Sequence, residues 1–596
     1  MEKKKWIVLL AIVMIFTSMG LSGCGGNEAA PEQPAAATVL TNGIIYTVDG
    51  DDWENSAQEA IAIDGEGAIL FVGTAADAEA YIGDETKVVD LEGKTVLPGF
   101  IDGHVHAPGT ALTELYEIYL YESFTKEQTL ADVAAFIEAN PDLDEYWGNG
   151  FNMGMAADPK GPKKEWLDEI ESEKPIIITS NDGHNMWMNS KAFEMNGITK
   201  ETKAPLGGSI SKDPATGEPW GLLTDAFSLV TMEPVYSKDQ ELAALRYFQE
   251  QMSSWGYTSI MSIAPHSVDV HSYKTLEDTG ELNLRVNVSA LCDEKGEYKD
   301  ALSDALALRD YFSGSKLVKA STIKFFVDGV VEGMTGYLME PYAPEAGLDP
   351  DYRSVLYYDP EDLKEYFSET VANDFQIHVH SIGDAATMET VNAMEYAIGQ
   401  NPGKDMRNVI THLQLVRNED KIRMGELGII GAAQPYWHLQ EPDWYEYVDS
   451  LVLGPDRAWT EYPLKSLADN GVRLTFSGDH PVSPVNNPFW AIEAAVTRNL
   501  NNAEYYGVDD ITDIDDPTWL LNPDERISIA QAVEAYTING AYQLFRDAEI
   551  GSLSVGKLAD LVIISDDIIN TNPLNLDGIE VIATILGGKA VYGTLD

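Results

Sequence analysis

The amino-acid sequence predicts an α/β protein whose centre is a (β/α)8 barrel, flanked by a β-sandwich built from both ends of the chain. Eight short apolar runs between residues 96 and 477 alternate with segments of helical periodicity, the pattern of a closed parallel barrel. Alternating runs separated by Gly, Asp and Asn occur at both chain ends and are typical of antiparallel strands. A segment too long for one crossover separates the first two barrel strands, so an inserted subdomain is expected there.

The first residues of the chain are predicted to be an export signal. Three lysines at positions 3–5 precede an apolar run from Trp6 to Met19, which is short for a membrane-spanning helix. The following L-S-G-C, residues 21–24, is similar to the lipobox of bacterial lipoproteins. This resemblance implies that residues 1–23 are removed and that a lipid on Cys24 anchors the protein to the outer face of the bacterial cell membrane. An ordinary secretory signal is the alternative.

Residues 24–37 have the composition of a flexible tether between the anchor and the folded part. The chain contains 2 cysteines, Cys24 and Cys292. If Cys24 carries a lipid, no intrachain disulfide can form. The stability of the fold must then come from burial of its core and from bound metal.

The composition restricts the partners of the protein. With 596 residues, 44% of them hydrophobic, the chain is long enough for one large domain with additions or for several domains. Its 97 acidic residues exceed its 39 basic ones, which gives a formal net charge of −58. This charge argues against nucleic acid and anionic headgroups as partners, because a polyanion would be repelled, and it favours a heavily solvated acidic surface. Whether the chain forms a homo-oligomer stays open.

Residues 38–95 and 548–596 are predicted to form the β-sandwich together. The first segment contains runs such as A-I-A-I-D and A-I-L-F-V-G, and the second contains D-L-V-I-I and V-I-A-T-I-L. Neither set has enough strands for a stable sandwich on its own. We therefore expect the two chain ends to pair.

Residues 96–547 are predicted to hold the barrel, with an insertion at about 112–238 over its mouth. Outer helices are expected from amphipathic segments at Thr129–Ala139, Glu361–Asn373 and Ala385–Gly399. The first strand leads to His104 in V-L-P-G-F-I-D-G-H-V-H. The other seven are expected at 257–263, 284–291, 322–327, 376–380, 408–412, 428–434 and 472–477.

Side chains that can ligate a metal end several of these strands. His104 and His106 are two residues apart, so on a strand they point to the same face and can hold one ion. A bare His-x-His can equally stand in a turn. His412 ends the sixth strand, and Asp479 follows the eighth. Because the carboxyl ends of barrel strands meet on one face, these groups are expected to converge.

The fifth strand offers two histidines in Q-I-H-V-H-S-I-G-D. We favour His380 over His378, because His380 is nearer the barrel mouth. A carboxylate at position 479 could bind metal through one oxygen and take a proton from metal-bound water with the other. A turn or capping role is the alternative for Asp479.

Lys324, in T-I-K-F-F-V-D-G, ends the fourth strand among these predicted ligands. An ammonium group would repel a metal, whereas a neutral amine that has added CO₂ becomes a carbamate that can bridge two cations. Burial near metal lowers the pKa of a lysine and favours the neutral form. A salt bridge with Asp328 or Glu332 is the alternative.

Together these motifs resemble the amidohydrolase superfamily of metal-dependent hydrolases, and within it the family 3 branch that includes N-substituted formamide deformylases. The resemblance extends in order over nearly the whole chain after the tether. The matching stretches include L-P-G-F-I-D-G-H-V-H, D-G-H-N-M-W-M-N-S-K-A, K-F-F-V-D-G, H-V-H-S-I-G-D-A-A, T-H-L-Q, S-G-D-H-P-V-S-P and G-S-L-S-V-G-K-L-A-D-L-V-I.

The resemblance implies a distorted TIM barrel with one or two divalent metals, usually Zn²⁺. It implies that His104, His106 and Asp479 bind the first metal. Carboxylated Lys324 would bridge the two metals, and His380 and His412 would bind the second.

Four further side chains are predicted to contact the substrate. His184 and Trp187 lie in the insertion, while Tyr436 and His438 follow the seventh strand. Packing or capping roles are the alternative for all four. Inside the insertion the chain departs from the family pattern at W-G-N-G-F-N and at Thr224 and Asp225, so the choice of substrate stays open.

The expected reaction is hydrolysis of a C–N bond in a small amide, N-acyl, N-formyl or cyclic amide substrate by metal-activated hydroxide. Asp479 would take the hydroxide proton and return it to the leaving nitrogen. A lactonase or other esterase on the same site is an alternative. A deaminase is disfavoured, since those sites typically hold one metal and lack the bridging lysine. A lipid-anchored binding protein without catalysis is the alternative from another class.

Overall fold

The computed structural model describes residues 34–595 except positions 157, 159, 206–207, 264–267, 293–297 and 443. The predicted signal peptide, Cys24 and most of the tether lie outside the described residues. Within them, no helix combines the length and the apolar character that crossing a bilayer requires.

Eight parallel strands form the central sheet, and their order in the sheet follows their order along the chain. This confirms the predicted α/β barrel. The sheet nearly closes, because the backbone N–H of His106 after the first strand donates to the carbonyl of His480 after the last, at 2.9 Å. The strands are β1 (Phe100–Val105), β2 (Tyr257–Ser262), β3 (Arg285–Cys292), β4 (Val318–Phe326), β5 (Gln376–Ser381), β6 (Val409–His412), β7 (Ile430–Ala433) and β8 (Leu474–Phe476).

Helices cover the outside of the barrel, and the predictions at 361–373 and 385–399 are confirmed. The helix Pro360–Ala372 shows why: Asp359 caps its first turn, Pro360 fits the first helical position, and Leu363 and Phe367 recur on its buried face. The other main helices between strands are Lys238–Ser254, Ser272–Thr279, Tyr298–Tyr311, Asp384–Gln400, Asn418–Leu427, Leu464–Asp469, Pro488–Thr497, Ile529–Tyr536 and Ile538–Gln543.

Two further sheets flank the barrel and share one buried core, to which Ile61, Val96, Leu561 and Ile585 contribute. One sheet has four strands, in the order Ile69–Gly73, Ala60–Ile63, Thr38–Thr41 and Lys87–Asp90. The other combines both chain ends, in the order Ile44–Ile45, Thr95–Pro98, Leu561–Ile564, Val581–Leu586 and Lys589–Tyr592.

The stretch predicted as the first barrel strand is divided between two sheets. Thr95–Pro98 pairs antiparallel with Leu561–Ile564, and the barrel strand begins only at Phe100. Gly99 separates them, and a Cβ atom there would lie 2.3 Å from the side chain of Thr258. The close approach of these two chain segments therefore requires glycine at the crossing point.

The chain segment that connects β1 to β2 forms a separate six-stranded sheet. Its strands lie in the order Ser209–Lys212, Pro219–Thr224, Asn185–Met188, Ile176–Ser180, Tyr146–Phe151 and Ile118–Tyr119. The helix Lys126–Ala139 packs on it, with Val133 buried in the same cluster as Tyr146 and Ile178. The prediction that 129–139 is an outer helix of the barrel was therefore wrong. An apolar face shows that a helix packs but not which surface it covers.

Candidate active site

Three predicted ligands meet at the carboxyl ends of the first and last barrel strands. His104 lies on β1, His106 follows it directly, and Asp479 follows β8. Asp479 Oδ1 is 3.2 Å from His104 Nε2 and 3.3 Å from His106 Nε2. Among the described residues, this is the one group of three or more His, Cys, Asp or Glu side chains whose ligand atoms all lie within 4.8 Å of one another.

Asp479 and His412 both leave their strands in a left-handed backbone conformation, with φ of 53° and 74°. Residues other than glycine rarely adopt this backbone conformation, and those that do cluster at functional sites. His412 Nδ1 lies 3.8 Å from Asp479 Oδ2 and 3.0 Å from Gln434 Oε1. The turns after β6 and β8 thus bring the two side chains together.

The carboxyl group of Asp479 is held in its ionised form. Burial acts to raise its pKa, but the neighbouring His106, His412 and Lys324 outweigh burial. The pKa of Asp479 is therefore below its ordinary value, and the carboxylate is available as a ligand or proton acceptor.

Lys324 lies on β4, fully buried and directly opposite His378 of β5. Its Nζ has no hydrogen-bond partner and lies 4.5 Å from the centre of the Phe326 ring. Burial lowers the pKa of Lys324 to about 7, although the charge of Asp479 opposes the shift. The salt bridge with Asp328 or Glu332, the alternative from sequence, is not formed.

Of the two histidines on β5, His380 lines the cavity above the barrel and His378 does not. The ring centre of His380 is 4.5 Å from that of His412, and its Nε2 is 3.1 Å from the carbonyl oxygen of Gly329. His378 Nε2 instead lies 2.7 Å from His104 Nδ1. The geometry therefore agrees with the preference for His380 and gives His378 a contact to a predicted ligand.

The residues present fit a divalent metal. His104 Nε2, Asp479 Oδ1 and Lys324 Nζ are buried at this point without hydrogen-bond partners, whereas buried polar atoms are normally paired. Imidazole and carboxylate are the ligands that zinc and similar ions prefer. Burial lowers the pKa of His104 and His380 well below the ordinary value, so both rings are neutral, as ligands must be.

Comparison with known proteins agrees with this geometry. A sequence profile of the amidohydrolase family matches residues 87–592. The chain belongs to the amidohydrolase family. It is 30% identical over 582 residues to Protein LONG AFTER FAR-RED 3 of Arabidopsis thaliana, covering 94% of this chain and 92% of the relative. It is 23% identical over 568 residues to N-substituted formamide deformylase of Arthrobacter pascens, covering 93% and 98%.

The fold of this amidohydrolase is also found in solved structures. A metal-dependent hydrolase from Pyrococcus horikoshii superposes with a TM-score of 0.65 at 21% identity, over 90% of this chain and 99% of that one. The similarity supports the barrel architecture, and the chemistry of this amidohydrolase must be argued from its own site.

A cavity of about 1320 Å³ lies over the barrel mouth of the amidohydrolase, between the strand ends and the inserted subdomain. His106, His380, His412 and Asp479 line its floor. A cavity of this size accepts a small molecule, in keeping with the substrates of metal-dependent hydrolases.

Two of the four predicted substrate contacts line the cavity, namely His184 and Tyr436. Trp187 does not: it is fully buried in the core of the inserted subdomain, and its Nε1 donates to the carbonyl of Lys163 at 3.0 Å. Trp187 therefore has a packing role, which was the alternative to the predicted substrate contact. His438 is also fully buried outside the cavity wall, stacked on Tyr462 with ring centres 4.5 Å apart.

Sequence reasoning missed the carboxylate that supports the floor of the site. Asp102 accepts the backbone N–H of His104 at 2.9 Å, the N–H of Gly478 at 3.2 Å and Nδ2 of Asn486 at 2.8 Å. It thereby ties β1 to the turn that carries Asp479. Its place in D-G-H-V-H, two residues before His104, was the available signal.

Proposed function

We propose that this amidohydrolase hydrolyses an amide-type C–N bond in a small molecule, such as an N-formyl, N-acyl or cyclic amide group. The observation that carries the proposal is the contact of Asp479 with both His104 and His106 on the floor of the cavity. The relative from Arthrobacter pascens is an N-substituted formamide deformylase, and deformylation of a formamide belongs to the same chemical class.

His104, His106 and Asp479 would hold one Zn²⁺, and His380 and His412 would hold a second. Lys324, with its unpartnered and readily neutral amine, would add CO₂ and bridge the two ions as a carbamate. When bound, such ions activate water and polarise a carbonyl group.

Asp479 is the proton carrier in this proposal. Its ionised carboxylate accepts the proton of the attacking water and returns it to the nitrogen as the C–N bond breaks. One water is consumed, and a carboxylic acid and an amine are released. The buried imidazoles stay neutral throughout, because burial lowers their pKa values.

Metal analysis coupled to a hydrolysis screen tests the proposal. The screen uses N-formyl, N-acyl and cyclic amides, with matched esters and lactones as a second arm. We expect copurifying zinc and turnover of at least one amide, abolished by chelation and restored by added Zn²⁺. Turnover confined to esters or lactones would show that the enzyme cleaves a C–O bond rather than the proposed C–N bond. A metal-free protein without turnover would favour a binding role.

We also propose that the enzyme is exported and held at the outer face of the bacterial membrane by a lipid on Cys24. The proposal rests on the L-S-G-C stretch after the basic and apolar leader. When the full chain is expressed in a bacterial host, we expect it to be found in the membrane fraction and to incorporate labelled palmitate. Cys24→Ser should abolish the label, and labelling that persists in this variant would overturn the proposal.

A further inference from the structure

The wall of the cavity is strongly acidic. Asp182, Asp225, Glu332, Glu441 and Asp449 line it, whereas no lysine or arginine does so among its described lining residues. Charged groups at a binding site usually match the opposite charge of the ligand. The wall therefore indicates what kind of molecule the cavity takes.

One of these carboxylates is already paired. His184 Nδ1 lies 2.7 Å from Asp225 Oδ1, so this carboxylate oxygen already has a partner in the cavity wall. Not every acidic group of the wall has such a partner.

Asp449 is the clearest case of an unpaired acid. It begins the helix Asp449–Leu453, is 7% exposed, and its Oδ1 has no hydrogen-bond partner. Burial, reinforced by the charges of Glu461, Glu332 and Glu441, raises its pKa well above the ordinary range, so this acid is neutral when no ligand is bound. An ammonium group beside its unpartnered oxygen would favour the carboxylate and supply the missing partner, so this acid in the cavity wall points to a cationic ligand.

The geometry of this wall favours an organic cation over a metal ion. Among the described residues, no group of three or more His, Cys, Asp or Glu side chains with ligand atoms within 4.8 Å of one another includes Asp449, Glu332 or Glu441. Aromatic rings complete this wall, and rings attract an ammonium group through their faces. The aromatic residues include Trp437, Trp444, Tyr462 and Tyr506.

We infer that the substrate of this amidohydrolase carries a protonated amine, which binds beside Asp449, Glu332 and Glu441 while the amide group lies over the metal ligands. The inference rests on the proposed function and names the substrate class of that site. The high negative charge of the chain would also attract such a substrate to the cavity.

A matched pair of substrates tests this inference. The mono-N-formyl derivative of 1,4-bis(aminomethyl)benzene carries an ammonium group, and N-formyl-4-methylbenzylamine has a similar shape without the charge. We expect kcat/KM to be at least about 10-fold higher for the cationic substrate, chiefly through KM. Equal kcat/KM values for the two substrates would overturn the inference.

Substitutions in the cavity wall test which carboxylates cause the preference for the cationic substrate. Asp449→Asn should remove most of the preference, and Glu332→Gln should reduce it, which keeps the test valid if one variant fails to fold. Glu446→Gln removes the same charge from an exposed position three residues away and should keep the preference. If both cavity variants keep the preference for the cationic substrate, these carboxylates do not bind its ammonium group.

Binding measurements separate this inference from the proposed function. If neither formamide is hydrolysed, calorimetry with benzylamine and benzyl alcohol still reports on the acidic wall. Benzylamine should bind at least about 10-fold more tightly than benzyl alcohol, and Asp449→Asn should remove the difference. Equal affinities for the two probes would overturn the inference whatever the enzyme hydrolyses.

Discussion

His104 Nδ1 and His378 Nε2 lie 2.7 Å apart, and both rings are fully buried. The other nitrogen of His104, Nε2, faces Asp479 and has no hydrogen-bond partner in the protein. If Nε2 ligates metal, Nδ1 carries the proton and donates it to His378. In that case His378, on β5, is a positioning residue that fixes the tautomer and the orientation of His104 on the non-adjacent strand β1.

Removing this contact should weaken metal binding more than turnover. In His378→Ala, metal affinity is expected to fall by about 10–100-fold, because the His104 ring loses its orienting partner. With saturating Zn²⁺ the kcat should return close to the wild-type value. Competition with a fluorescent chelator measures the affinity.

A conservative variant distinguishes positioning from packing. His378→Gln keeps a hydrogen-bonding group near Nε2 and should recover part of the metal affinity. The exposed His271→Ala serves as the control for loss of an imidazole. Equal affinities of His378→Ala and wild type would contradict the positioning role.

Asp479→Asn should separate metal binding from chemistry. The amide keeps a ligand oxygen but cannot take a proton, so kcat is expected to fall by about 10²–10⁴-fold while most of the metal is retained. Steady-state kinetics on a hydrolysed amide and metal analysis of the same preparation measure the two effects. Asp304→Asn, at an exposed helix position, is the matched control. Near-normal turnover in Asp479→Asn would remove this residue as the proton carrier.

Lys324→Met should leave the metal-free protein at least as stable as the wild type. Its buried Nζ makes no hydrogen bond, so an apolar side chain of similar length loses no partner and avoids burying an amine. Thermal unfolding in the presence of a chelator checks this. Added Zn²⁺ should then raise the melting temperature of the wild type more than that of the variant.

Labelled bicarbonate checks the proposed carbamate directly. Wild-type protein loaded with zinc in ¹³C-bicarbonate should show a carbamate carbon resonance that is missing in Lys324→Met. A spectrum of the zinc-loaded wild type without this resonance would show that Lys324 has another role.

The buried Glu493 predicts a stability difference that depends on pH. Burial, reinforced by Asp577, raises its pKa to about 9, although its carboxylate accepts the N–H of Asp577 at 2.9 Å. An acid with a raised pKa stabilises the fold only while protonated, and each pH unit between its unfolded and folded pKa costs about 1.4 kcal/mol. Glu493→Gln should therefore gain stability relative to wild type as pH rises from about 4.5 toward 9.

Thermal unfolding of both proteins at several pH values measures this difference. The two melting temperatures should be closest near pH 5 and diverge toward pH 8, with the variant higher. Glu504→Gln, an exposed carboxylate in the next helix, controls for the loss of one charge. A constant difference between wild type and Glu493→Gln across this range would contradict the raised pKa.

Much of the barrel and its floor could be predicted from local sequence. The apolar runs have the length of strands, and the spacing of His104 and His106 places both imidazoles on one face of a strand. Since the carboxyl ends of parallel strands share one edge, strand order alone was enough to bring His412 and Asp479 to the same mouth. These features depend on periodicity over a few residues.

Other features depended on contacts between distant segments, which no local pattern encodes. Only the folded chain shows that the helix at 126–139 covers the inserted sheet, that Trp187 is a core residue, and that His378 contacts His104. The acidic cavity wall is of this kind as well, because Glu332 follows β4 whereas Glu441 and Asp449 lie between β7 and β8. The sequence by itself determined the barrel and the meeting of His104, His106 and Asp479 at its mouth, because strand period and strand order are local properties. Long-range packing decided which other side chains line the cavity.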